Sequence, residues 1–114
     1  MDILNIIFAA LSIIIGAISW LNPRYAMTAL DLTDGGSTMG MSEVRASAGC
    51  LFVGMGIGAL LLASPVAYVM LGLCWSGAAV GRLTSLLRDG QNRQKWVFFA
   101  VEAGVGIPAI LLNI

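Results

Sequence analysis

Residues 3–21 read ILNIIFAALSIIIGAISWL, a run of 19 positions without one ionisable side chain. At about 1.5 Å per residue it forms a helix nearly as long as the hydrocarbon core of a bilayer is thick, about 30 Å. A surface helix of a soluble domain keeps a polar face, whereas the only polar residues here are Asn5, Ser12 and Ser19. The rest of the chain has the same character. Of 114 residues, 59% are hydrophobic and 11% charged, with a mean hydropathy of +0.92, where soluble domains carry about 25% charged residues. The chain reads as an integral membrane protein. Asp2 stands where a secretory signal would place basic residues, so the first run is expected to remain in the mature protein.

Three further stretches match the first in length and polarity. Proline or a charged turn separates them: Asn22-Pro23 closes the first, Ser64-Pro65 divides the second from the third, and Arg88-Asp89-Gly90 ends the third. The expected fold is all-α, a single domain over 1–114, forming a transmembrane four-helix bundle with spans at about 3–21, 44–63, 66–87 and 96–114. Basic residues near span ends set orientation. Arg24, Arg45, Arg88, Arg93 and Lys95 flank the first and third connections, and the Ser64-Pro65 turn has none. Those two connections are expected in the cytoplasm, with both termini in the periplasm or its equivalent. Trp20, Tyr25 and Trp96 suit the cytoplasmic boundary and Tyr68 the opposite one.

The first connection is the only one with room for structure of its own. Pro23 to Leu32 suits a short interfacial helix or a mobile connector, and Asp34-Gly35-Gly36-Ser37 breaks it. Ser42, just before Glu43, is expected to cap the second span. Lipid gives helices no hydrophobic reason to associate, so small residues must carry the packing. Gly54 and Gly58 form a G-x-x-x-G in the second span, extended toward the cytoplasm by Gly49 and Ala46, and Gly77 and Gly81 form another in the third. Ser12 with Gly16 and Ala100 with Gly104 extend the pattern to the first and fourth. The expected packing glycines are thus Gly54, Gly58, Gly77, Gly81 and Gly104, within the bundle or against a partner subunit. Pro108 removes a backbone donor from the fourth span, and Trp75 places an indole N–H deep in the third.

Charge at membrane depth is a functional-site hypothesis by default. Glu43, Arg45, Arg82 and Glu102 lie inside or at the edge of spans, and Arg82 and Glu102 stand ten positions either side of Asn92. In an antiparallel hairpin they meet at one level. The four together make a neutral charge network that locks helix register, or an anion or headgroup site built on the two arginines. A transport carboxylate needs freedom to exchange its proton, and Glu102 opposite a guanidinium has a fixed counter-ion. Six basic and six acidic residues leave no net charge, which excludes a nucleic-acid partner. With no His in the chain, a zinc site or haem ligand has no imidazole, and neither Ser nor Cys has an evident base. Cys50 and Cys74 fall at different depths and read as buried packing thiols. The expectation is no catalytic residue, no metal and no cofactor.

The stretch Ser42-Glu43-Val44-Arg45-Ala46 with Gly49, then Gly81-Arg82, Asp89-Gly90 and Glu102, resembles an uncharacterised family of small four-helix bacterial inner-membrane proteins, a domain of unknown function. The likeness spans nearly the whole chain. It departs at Cys50, where the family usually has a second Gly. What the resemblance implies is architecture, since the family brings no activity. Function is expected to be non-catalytic, an accessory subunit packing against other membrane-protein subunits of a respiratory or photosynthetic type of complex. The alternative is a small transporter, or a binder of lipid or a hydrophobic small molecule, with bound lipid near Arg45 and Arg82.

Overall fold

The computed structural model describes residues 2–114. The chain is all-α, with no strand among the described residues. Its helices are α1 (Ile3–Leu21), α2 (Pro23–Ala29), α3 (Met39–Leu62), α4 (Pro65–Arg88) and α5 (Arg93–Leu111). All but α2 are long and apolar enough to cross a membrane. The chain divides into two compact units, residues 6–61 and residues 1–5 with 62–114.

In the first unit α1 packs against α3 through backbone. A Cβ on Gly16 would lie 2.6 Å from the Gly49 carbonyl oxygen, one on Gly49 2.9 Å from the Trp20 backbone, and one on Gly56 2.6 Å from the Ala9 carbonyl oxygen. Ala9 and Ser12 are fully buried on the facing side of α1, the Ser12 hydroxyl donating to the Phe8 carbonyl. The short α2 starts where Asn22 accepts from the Tyr25 N–H and Pro23 presets the first turn. Ala26 and Met27 then close a small core with Met41, Val44 and Ala48. It stops at Ala29 rather than Leu32, because Asp31 turns into the left-handed region at φ 58°.

The second span begins earlier than the charge pattern suggests. Helix α3 starts at Met39, not near Val44, and Thr38 rather than Ser42 holds the N-cap position. The Ser37 hydroxyl accepts from the Met39 N–H at 3.2 Å, which sets the start, and the Ser42 N–H is already in the first turn, donating to the Thr38 carbonyl. Val44–Cys50 is wound as a π-helix before the α geometry resumes at Leu51.

The second unit is the antiparallel hairpin of α4 and α5. Ser64 caps α4, its hydroxyl accepting from the Ala67 N–H, with Pro65 at the first position; Asn92 caps α5 in the same way through the Lys95 N–H. Gly90, at φ +97°, supplies the turn between them. A Cβ on Gly72 would lie 2.8 Å from the Gly106 carbonyl oxygen, and one on Gly106 2.6 Å from the Ser76 backbone nitrogen. Around this contact Tyr68, Leu71, Trp75, Ala79, Val105 and Ala109 are buried. Tyr68, expected at the boundary opposite Trp20, is buried within the protein. Cys50 and Cys74 are free and exposed on the protein surface, where buried thiols were expected.

The packing glycines agree only in part with the expected stripes: Gly16 and Gly49 make close approaches, and the G-x-x-x-G pairs and Gly104 do not. A Cβ on Gly54, Gly58, Gly77, Gly81 or Gly104 would meet nothing within 4 Å; the close approaches belong to Gly16, Gly49, Gly56, Gly72 and Gly106. Helical geometry gives the reason. Each residue turns the helix by about 100°, so two positions of separation, as from Gly56 to Gly54 or Gly58 and from Gly106 to Gly104, amount to about 200° and the opposite face. Gly77 and Gly81 lie five and nine positions beyond Gly72, which again places them on the far side of α4. Replacing Gly72 by Ala should force α4 and α5 apart and cost about 1–3 kcal/mol, as overpacking does. Gly77→Ala should leave the isolated chain as stable as before or slightly more so. Unfolding of both variants in mixed SDS micelles, followed by circular dichroism, checks the pair, and equal losses would disprove the assignment of faces.

Candidate functional site

The α4–α5 hairpin brings Arg82 and Glu102 together. Arg82 Nε–H donates to Glu102 Oε1 at 3.2 Å and its Nη2–H donates to Oε2 at 2.9 Å, so the carboxylate is held by two parallel bonds. This fork-to-carboxylate geometry fixes angle as well as distance. Phe98, one turn before Glu102, lies under the guanidinium, its ring centroid 5.2 Å from Arg82 Cζ. The quadrupole of that ring faces the cation and takes over part of the solvation that water would give. The side chains are 30% exposed for Arg82 and 12% for Glu102. Both oxygens of Glu102 are thus engaged by one cation, and the pair ties two helices together without leaving a free base.

Arg45 and Glu43 have local partners in the unit of residues 6–61. Arg45 Nη1–H donates to the Trp20 carbonyl at 2.7 Å. Trp20 is in the last turn of α1, whose final four carbonyls have no partner within the helix. A guanidinium there satisfies one of them and complements the negative end of the helix dipole. Arg45 lies in the π-helical segment, together with Gly49, which lets the Trp20 backbone come close. Glu43 accepts from the Ser47 hydroxyl at 3.4 Å, one turn along its own helix.

A polar pair that the charge-based reading passes over lies at the other end of the α4–α5 unit. Asn5 Nδ2 donates to Asn113 Oδ1 and Asn113 Nδ2 donates to Asn5 Oδ1, both at 2.8 Å, and Asn113 Nδ2 also donates to the Ala109 carbonyl at 2.7 Å. Asn5 is buried. The available signal was an amide at the third position of an otherwise apolar run and a second one at position 113, in a chain with few polar side chains to match them. Among the described residues no group of three or more His, Cys, Asp or Glu side chains converges as for a metal ion.

The chain belongs to the family described as "Domain of unknown function (DUF4345)", whose model matches residues 1–113. No curated protein and no solved structure matches it. The family description carries no activity, so the site has to be read from its own geometry.

Because the Arg82–Glu102 pair is partly buried, removing one partner leaves the other without its counter-charge. Arg82→Ala and Glu102→Ala should each lower stability by about 2 kcal/mol, and the double variant should cost less than the two single losses together. Arg82→Lys keeps the charge but loses the paired bonds, and should fall between wild type and Arg82→Ala. A double-mutant cycle by SDS titration reads these values; strictly additive losses would show that the two groups do not depend on each other.

Proposed function

We propose that this chain is a multi-pass protein of the bacterial inner membrane with no chemistry of its own, acting as an accessory subunit that packs against a larger membrane assembly of the respiratory or photosynthetic type. One observation carries the reading. Gly54 and Gly58 on α3, Gly77 and Gly81 on α4 and Gly104 on α5 present bare backbone to open space, while other glycines do the packing within the chain. Small residues let helices approach closely and gain dispersion and weak backbone contacts, which is how helices associate in lipid. The paired state of Glu102 speaks against the transporter alternative, whose carboxylate needs to be available to a proton or substrate.

Gentle detergent extraction of the native protein followed by mass analysis of the intact particle should recover it in a defined larger complex. Gly77→Leu and Gly54→Leu should release it from that complex while leaving the isolated chain as stable as wild type. Recovery only as a free chain, or a complex indifferent to both substitutions, would overturn the accessory role.

The same proposal places the connection around Ser37 and the one around Gln91 in the cytoplasm and both termini in the periplasm, from the basic residues Arg24, Arg45, Arg88, Arg93 and Lys95. In a background with Cys50 and Cys74 replaced by Ala, a single cysteine at Gln91 should resist a membrane-impermeant maleimide in intact spheroplasts. One at Ser64 should react. The reverse pattern would invert the topology.

A further inference from the structure

At the end of the α4–α5 unit away from Arg82, a cavity of about 420 Å³ is lined by Asp2, Asn5, Ser64, Tyr68, Leu112 and Asn113, among others. Polar groups so placed in a chain this apolar call for a count of what each has left to give. The Asp2 carboxylate accepts from the Leu4 N–H through Oδ1 at 2.9 Å, and its Oδ2 has no partner among the described residues. In the reciprocal amide pair, Asn113 has given both N–H groups, one to Asn5 Oδ1 and one to the Ala109 carbonyl. Each amide oxygen accepts one bond from its partner amide and keeps a second lone pair. The Ser64 oxygen already accepts from the Ala67 N–H, and the donors left over are the Ser64 O–H and the second Asn5 N–H, against the spare lone pairs of one carboxylate and two amide oxygens. The remaining capacity of the wall is therefore mostly acceptor, it includes a carboxylate oxygen, and no Lys or Arg lines it.

A group that fits such a wall is a cation with several N–H donors. We propose that this cavity binds a primary ammonium group, with Asp2 as its counter-ion and the Asn5 and Asn113 amide oxygens as acceptors. An ammonium carries three donors and no acceptor, which matches the surplus. The phosphoethanolamine headgroup of a membrane lipid and a free small amine share this chemistry. The strongly exposed Val66 and Ile114 and the half-exposed Leu112 stand beside the cavity in sequence or line it, offering apolar surface to acyl chains. The one arginine pair of this unit, Arg82 with Glu102, lies at its other end and is already neutral, so this site is distinct from it in charge and in position.

Asp2→Asn isolates the charge. Asparagine is as good an N-cap as aspartate, so α1 keeps its start and the change removes only the negative charge. The whole protein is reconstituted in phosphatidylcholine vesicles with and without phosphatidylethanolamine, extracted, and its retained lipids counted by native mass spectrometry. Wild type should keep phosphatidylethanolamine over phosphatidylcholine, and Asp2→Asn should reduce that preference about fivefold, the range of a half-exposed ion pair. Free ethanolamine that displaces the lipid from wild type would show that the ammonium alone is recognised, which also supports the site. No preference in wild type, or one unchanged by Asp2→Asn and by Asn113→Leu, overturns it.

Discussion

In a solvent as apolar as its own side chains, a helix gains nothing by hiding leucines, so contact energy has to come from backbones that come close enough to touch. Both units of this protein depend on that constraint and meet it with glycine. In the α4–α5 hairpin Gly72 faces Ile110 and Ser76 faces Gly106 at distances a Cβ would not tolerate. Between α1 and α3 the same occurs from Gly56 against Ala9 to Gly49 against Trp20. Such contacts act as register marks. As the position on α4 climbs from 72 through 76 to 82, its partner on α5 falls from 110 through 106 to 102. The ion pair is thus a consequence of a register set by absent side chains, and it adds angular specificity where the glycines supply proximity.

The polar groups divide their work in keeping with this. Arg82 is long enough to meet Glu102 through two parallel bonds while its planar cation rests on Phe98, so neither charge depends on water alone for stabilisation. Arg45 spends its charge on a helix end. The Trp20 carbonyl is one of the acceptors that every helix leaves open, and in a membrane an open acceptor is expensive. The π-helical winding of Val44–Cys50 contributes here because it contains both Arg45, which bonds that turn of α1, and Gly49, which packs against it. The Asn5–Asn113 pair makes a comparable tie at the end of the α4–α5 unit away from Arg82, between neutral groups.

How much of this was legible in the sequence follows from which physical rule governs each feature. The spans were legible, because bilayer thickness imposes a length on any apolar helix, and the helices at Ile3–Leu21 and Pro65–Arg88 follow the hydropathy closely. The start of α3 was not. Glu43 and Arg45 suggested that the helix begins at the membrane edge, while it starts at Met39, after Thr38 at the N-cap position and with the Met39 N–H bonded to the Ser37 hydroxyl. The meeting of Arg82 with Glu102 could be counted from Asn92, since a hairpin is symmetric about its turn. The glycine faces could not be assigned, because G-x-x-x-G spacing says that two glycines share a face and is silent on which way that face turns. Asn5 and Asn113 lie 108 positions apart, and nothing local in sequence links them.

The two classes of glycine separate what the chain needs for itself from what it offers outward. Gly16, Gly49, Gly56, Gly72 and Gly106 are required by contacts within the units, where a methyl group would collide. Gly54, Gly58, Gly77, Gly81 and Gly104 meet no such requirement, yet each carries the conformational disadvantage of glycine in a helix, about 1 kcal/mol relative to alanine in water. Helices α3, α4 and α5 gain no contact within the units from these five positions. Bare backbone at these positions leaves room for close approach by another helix, and this asymmetry is what supports reading the protein as one part of a larger membrane assembly.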